Sequence, residues 1–275
     1  MAILSLGLGI GASTTMFAVI DALDFRPLPF REPDRLVWLT EVSSVRFPGC
    51  AHCPDITSMR TAASWRAQTT SYQEMAVKGN SGIYLDAAGV SEYIEIGRAS
   101  PGFFDLLGVR LVLGREFLPE DTADARDVVI LSHAMWMTRF SGDPAAIGAE
   151  LEYFDDSTLR ERHKGTIVGV LPRGFRFRSD HPFWLPLGGG AGTSRVSLAT
   201  VVARLDSEVT RSSAQAELDV VHARLTAEAA EPDEARQAAV LPLRELLRMA
   251  VGEGRGMLFS IVMIVLCVAT LNVAG

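Results

Sequence analysis

Residues 100–109 read SPGFFDLLGV, and this decapeptide carries both ends of a short helix. A serine such as Ser100 can cap a helix start, Pro101 fits a first helical position, and Gly108 stands where the chain must turn out after the last turn. Upstream, SEYIEIGRA (residues 91–99) alternates as a strand does, with Ile94 and Ile96 on one face. Downstream, DVVILS reads as a buried strand, and SHAMWMTRFSGDP as a helix capped by Ser132 and ended at Gly142. GAELEYF, GTIVGVLP and PFWLPL follow as short strand candidates between charged, Gly- and Pro-bearing turns. They mark a β-rich part within about residues 110–190.

The pattern on either side is α/β. RLVWLTEV (35–42) has the β-branched and aromatic content of a strand, and a helix is expected over about 54–76, with a break near Thr69 and Thr70. SLATVVARL reads as another strand, and TRSSAQAELDVVHARLTAEAA as the chain's most regular helix, with Ala214, Leu218, Val221 and Leu225 on one stripe. PLRELLRMAVGEGR extends that reading with a helix from Leu243 through Gly252. The fold class expected is α+β, an α/β part interrupted by a β-rich part.

With 275 residues, of which 48% are hydrophobic and 21% charged, the chain is long enough to bury a sizeable core. Its charge is unevenly placed: residues 1–20 and 257–275 carry none, so all 26 Lys and Arg and all 33 Asp and Glu lie between. Twenty helical residues rise roughly 30 Å, the hydrocarbon thickness of a bilayer. Two membrane helices are therefore expected, one over 1–25 and a second opening after a stalk within 246–275. Gly7 and Gly11 form a G-x-x-x-G pair suited to close helix packing. In DFRPLPFREPDRLVWL (24–39), Pro27 and Pro29 make an elbow where the first span stops, between Leu23 and Arg26. Arg26 and Arg31 stand where lipid headgroups would be met. A signal peptide would need a basic start, which is absent. Apolar runs at both ends suggest an incomplete membrane protein. The net charge of -7, without a Lys/Arg block, argues against a nucleic-acid partner.

Two local motifs invite chemistry. Gly7, Gly9 and Ala12 match a dinucleotide-binding turn, but Glu41, the available ribose partner, lies too far on. Cys50, His52 and Cys53 form CAHC, open to reading as an incidental feature, a Cys50–Cys53 disulfide, a redox pair or half a zinc site. The scattered His133, His163, His181 and His222 do not complete a metal site, and histidines so spread are usually surface or capping residues. H-E-x-x-H, G-x-S-x-G and the P-loop signature are all absent from the sequence. Neither catalytic, cofactor-binding nor metal-binding residues are assigned.

Several stretches resemble the MacB-like and FtsX-like permeases of ABC transporters, of the duplicated orphan type first noted in acidobacteria. They are LGLGIGASTTMFAVIDALDFRPLPFREPDRLVWL, ASPGFFDLLGVRLVLGREFLPED, VVILSHAMWMTRFSGDPAAIGAEL, GTIVGVLPRGFRF with WLPL, RLDSEVTRSSAQAELDVVHARL and the tail VLCVATLNVAG. CAHC and FDDSTLRERHKG depart from the family pattern. The resemblance implies a transmembrane helix (1–25), a MacB-like periplasmic core domain (26–245), and a stalk leading to a truncated FtsX-like membrane domain (246–275). It also implies a non-enzymatic subunit in the bacterial inner membrane, with its central domain in the periplasm. Its expected partners are a separate ABC ATPase, a second permease copy and membrane lipid. An FtsX-like regulatory or binding role without transport is the alternative, and a soluble NAD(P)-binding enzyme is the remote one.

Overall fold

A computed structural model describes residues 28–43, 57–87, 90–123, 127–155, 162–188, 198–228 and 236–249. The chain divides into two units, Phe30–Leu243 and a second made of Met1–Pro29 with Arg244–Gly275. Both expected spans, Gly7, Gly11, Pro27, Cys50 and Cys53 lie outside the described residues. Among those described, no helix is long and apolar enough to cross a membrane.

Phe30–Leu243 begins with a 3-10 turn, Pro33–Arg35, that leads into β1 (Leu36–Ser43). After β2 (Thr57–Ser58), the Ser58 hydroxyl accepts from the Thr61 amide at 3.0 Å and starts α1 (Met59–Gln68). The helix expected over 54–76 is therefore shorter. Thr69 is already extended, and β3 (Tyr72–Ala87) takes over, because Tyr72 and Met75 find strand partners in Leu205 and Ala203. Three apart is helical spacing, and in the strand Tyr72 and Met75 reach the same core only because the register of β3 against its partner shifts between Arg204 and Leu205. β4 (Val90–Ala99) returns antiparallel along β3.

The opening decapeptide then folds as α2 (Phe103–Leu107). Gly108 ends it in the left-handed region at φ 73°, as the sequence predicts. Its start differs: Gly102, not Ser100, is the capping residue, because the Ser100 hydroxyl is taken by the Val77 amide of β3 at 2.9 Å. β5 (Leu113–Gly114), α3 (Pro119–Ala123) and β6 (Val128–Leu131) follow, then α4 (His133–Phe140) with Ser132 as its cap, accepting from Met135 at 3.1 Å. The remaining elements are β7 (Glu150–Asp155), β8 (Arg162–Val170), β9 (Phe183–Pro186), β10 (Leu198–Leu205), α5 (Arg211–Ala227), β11 (Arg236–Pro242) and α6 (Leu243–Met249).

Pairing sorts these strands into two regions. β11, β1, β10 and the first half of β3 form an antiparallel sheet whose one face packs under α1 and α5. Its core holds Val37, Leu39, Trp65, Val201, Ala214 and Leu218. The stripe read on α5 is the buried one, although His222 joins it and Leu225 is only half-buried. β11 escaped the sequence reading; its outer side is held by the Gln215 amide, which donates to Ala238 and accepts from Val240.

Beyond residue 80, β3, β4, β9, β6, β8 and β7 close on themselves, since β7 pairs back to β3 through Ile83 and Tyr84. The result is a six-stranded barrel filled by Ile83, Ile96, Val129, Leu131, Ile167 and Phe183, with Met135 of α4 packed into the same core. β3 is thus common to sheet and barrel. Arg98 is buried where the two meet, its Nε donating to Ser81 at 2.9 Å.

A long-range carboxylate fixes the α1–β3 turn: Glu217 of α5 accepts from the Thr70 and Ser71 amides at 2.8 and 2.9 Å. Burial alone would raise its pKa, but the hydrogen bonds from Ser71 and Thr70 outweigh it and lower the pKa from 4.5. That stabilisation is present above the unfolded value and is lost as pH falls through the lowered folded value. Glu217→Gln is expected to cost about 1 kcal/mol in urea unfolding of the full chain at pH 7. The difference from wild type should shrink when the same measurement is made below pH ~4.

Candidate functional site

The first and last strands of Phe30–Leu243 are neighbours. Val37 lies opposite Pro242 and Leu36 opposite Arg204, so the chain enters and leaves this unit at the same end of the sheet. That end is built around charge.

Arg204 is the anchor, with a side chain only 1% exposed. Alternation along VVARL puts it on the face that also carries Val202, and the residue opposite it on β3 is Glu74. One guanidinium nitrogen donates to the Leu106 carbonyl of α2, and another reaches the Glu32 carboxylate at 3.2 Å. Arg204 Nε and Glu74 Oε2 face each other at 4.0 Å, and neither has a hydrogen-bond partner. Burial pushes the Arg204 pKa down, nearby Arg31 adds to that, and Glu32 and Glu74 oppose it. An arginine this buried stays charged, so its acceptors are obligatory.

The lead-in segment is tied to the same group. Arg31 donates its amide to Leu107 at 3.0 Å and pairs with Glu74 at 3.5 Å. Glu32 adopts the left-handed region at φ 45°, and Arg35 pairs with it at 3.1 Å while its Nε donates to the Leu205 carbonyl at 3.2 Å. Arg31, expected to meet lipid headgroups, is half-exposed but already has a carboxylate partner. Pro29 is exposed just before this turn. Opposite, Glu116 accepts from the Phe104 and Asp105 amides at 2.8 and 3.1 Å, satisfying the start of α2. Its pKa is raised, because burial outweighs those hydrogen bonds.

A second buried charge lies on the neighbouring strand, β3. Lys78 is 3% exposed, bonded to the Asn80 side chain, and burial with nearby Arg178 lowers its pKa to about 8 against the pull of Glu95. Beside it, burial and Lys78 hold His181 down at about 4. The expectation that the histidines are surface residues is corrected for His181 and His222, both buried. Among the described residues no group of His, Cys, Asp and Glu is placed to hold a metal ion.

The dinucleotide reading loses its scaffold. β1 is antiparallel to both neighbours, so it does not form the parallel βαβ unit that reading requires, and the buried Glu41 carboxylate accepts from the Ser58 amide at 3.4 Å. Sequence reasoning also missed Arg204 and Glu74. The available signal was a charged residue at an inward position of an alternating strand.

Comparison with known proteins decides the family. The family model described as MacB-like periplasmic core domain matches residues 1–221. The chain belongs to that family. Among solved structures, the periplasmic region of MacB from Actinobacillus actinomycetemcomitans is similar, with a TM-score of 0.53 and 13% identity over 80% of this chain and 94% of that one. A domain assigned to a permease protein from Porphyromonas gingivalis gives 0.52 and 16% over 78% and 92%. The extracellular domain of the noncanonic ABC-type transporter YknZ from Gram-positive bacteria gives 0.52 and 13% over 74% and 99%. At these identities the likeness is one of fold. No curated protein matches the chain.

Within this MacB-like core, Gly108 is the residue on which the junction closes. Its φ is 73°, and a Cβ there would lie 2.5 Å from the Arg31 Cβ. Gly148 is a natural control, at φ 88° with nothing within 4 Å of an added Cβ. Gly148→Ala is expected to cost only the left-handed backbone term, about 1 kcal/mol. Gly108→Ala should cost about 1–2 kcal/mol more in denaturant unfolding, because the lead-in segment must also shift.

Proposed function

We propose that the chain is the permease subunit of an ABC-type transporter or mechanotransmission complex. In this reading a separate subunit hydrolyses ATP, and the resulting motion of the membrane helices reaches the MacB-like core through its two connections. The observation that carries the proposal is the adjacency of β1 and β11, with Val37 opposite Pro242. A domain inserted between two membrane segments needs both connections at one end, and here they share a sheet ladder, with a charge network holding the entering one. The uncharged runs at 1–20 and 257–275 have the length and composition of spans on either side. The work is conformational, so the residues that matter are mechanical: Arg204, Glu32 and Glu74 at the junction, and Gly7, Gly11, Pro27 and Pro29 along the lead-in.

The proposal places the core in the periplasm and the apolar segments in the inner membrane, contacting lipid. It names an ABC ATPase and a second copy of the permease as partners. Cargo export and regulation of a periplasmic process both use this stroke.

The test joins partner and motion. The permease, with Cys50, Cys53 and Cys267 replaced by serine and one cysteine placed at exposed Asp219, should co-purify with an ABC ATPase from its native membranes. Cross-linking between copies through that cysteine should then change at least about threefold when ATP is trapped in the ATPase. Absence of an ATPase, or cross-linking indifferent to ATP with the ATPase bound, would contradict the proposal.

A further inference from the structure

The barrel carries a cleft that the junction does not use. It has a volume of about 950 Å³ and lies between α4, Leu85 near the end of β3, and the chain running from Leu171 to Pro182. Leu85 and Met135, which pack on the margin of the barrel core, also line the cleft. The core itself is full, with Ile83, Leu131 and Ile167 at most 1% exposed. The cleft therefore stops at the mouth of the barrel, a place where small-ligand sites recur and within their usual size range.

Its chemistry is divided between floor and rim. Leu85, Met135, Leu171, Phe175 and Pro182 supply an apolar surface. Most of the polar groups are already engaged. The Ser132 hydroxyl caps α4, Thr138 donates to the Ala134 carbonyl, and Arg176 holds Asp180 through two nitrogens. Arg139, on the exposed side of α4, is different: it lines the cleft and has no carboxylate partner among the described residues. The lining thus carries one uncompensated guanidinium beside an apolar floor.

We infer that this cleft binds a small amphiphile with an apolar body and one anionic head group, the head meeting Arg139. Charge complementarity selects the sign of the head, since a cationic ligand would face Arg139 without the Asp180 carboxylate, which Arg176 occupies. The concave shape selects a compact molecule over a flat protein surface. This inference stands on the cleft alone and requires no ATPase.

Octanoate is a suitable probe, and methionine methyl groups report its position. The full chain in nanodiscs, labelled at methionine methyls, should show a saturable shift of Met135 on octanoate addition. Met59 and Met75, in the other core, should stay still and so report an intact fold. Arg139→Gln should weaken octanoate about tenfold, the loss of one charged hydrogen bond. Octylammonium, with the same chain and opposite charge, should give no saturable shift. An equal response to octylammonium, an unchanged affinity in Arg139→Gln, or movement of Met75 along with Met135 would overturn the assignment. So would saturation by an acidic octapeptide with none by octanoate.

Discussion

A guanidinium that cannot lose its proton is buried at the end of a sheet, and much of this structure is arranged to satisfy it. Arg204 joins segments 98 and 172 positions away in sequence, through Leu106 of α2 and Glu32 of the lead-in turn. Leaving such a charge without its partners would cost about 3–5 kcal/mol, comparable to half the stability of a small domain. Position follows from that demand. α2 must present its last carbonyls to the sheet, the lead-in must turn sharply at Glu32, and Gly108 must let the two approach.

From this junction the sheet carries structure outward. β3 begins opposite β10 at the charged end and runs sixteen residues into the barrel, so one continuous strand belongs to both cores. Arg98 and Ser81 are bonded at the crossing, and the Arg98 guanidinium also donates to the Pro186 carbonyl. Lys78 is buried on the same stretch. Three buried cations along β3 and its neighbours hold backbone and side-chain acceptors at places where an apolar core would leave them free to slide. That suits a domain proposed to move as a body, driven from its base.

Much of this was legible in the sequence, and the failures have physical causes. Caps announced themselves, because Ser132 and Gly108 each have a local reason to be where they are. The stripe on α5 was readable since one face of that helix is buried against the sheet. The helix expected over 54–76 overran because Tyr72 and Met75 stand at helical spacing, and the register shift against β10 that lets them share a strand face leaves no mark in the sequence pattern. β11 was missed because its outer edge is completed by the Gln215 side chain, a contact invisible to periodicity. The barrel depends on β7 closing back onto β3, a pairing of residues some seventy positions apart. Arg204 stands one residue from the end of its strand, and its position opposite Glu74 and beside Leu106, which makes it structural, is set by long-range pairing that the sequence pattern does not show.

The central claim is that Arg204 holds the lead-in segment and α2 to the sheet. Native-state hydrogen exchange on Arg204→Met, in the full chain, tests it most directly. The Arg31 amide, bonded to Leu107, and the Val109 amide, bonded to Phe104, should lose protection together, by about two orders of magnitude, while barrel amides such as Ile167 keep theirs. Unchanged protection at Arg31 and Val109, or an equal loss throughout sheet and barrel, would contradict the account.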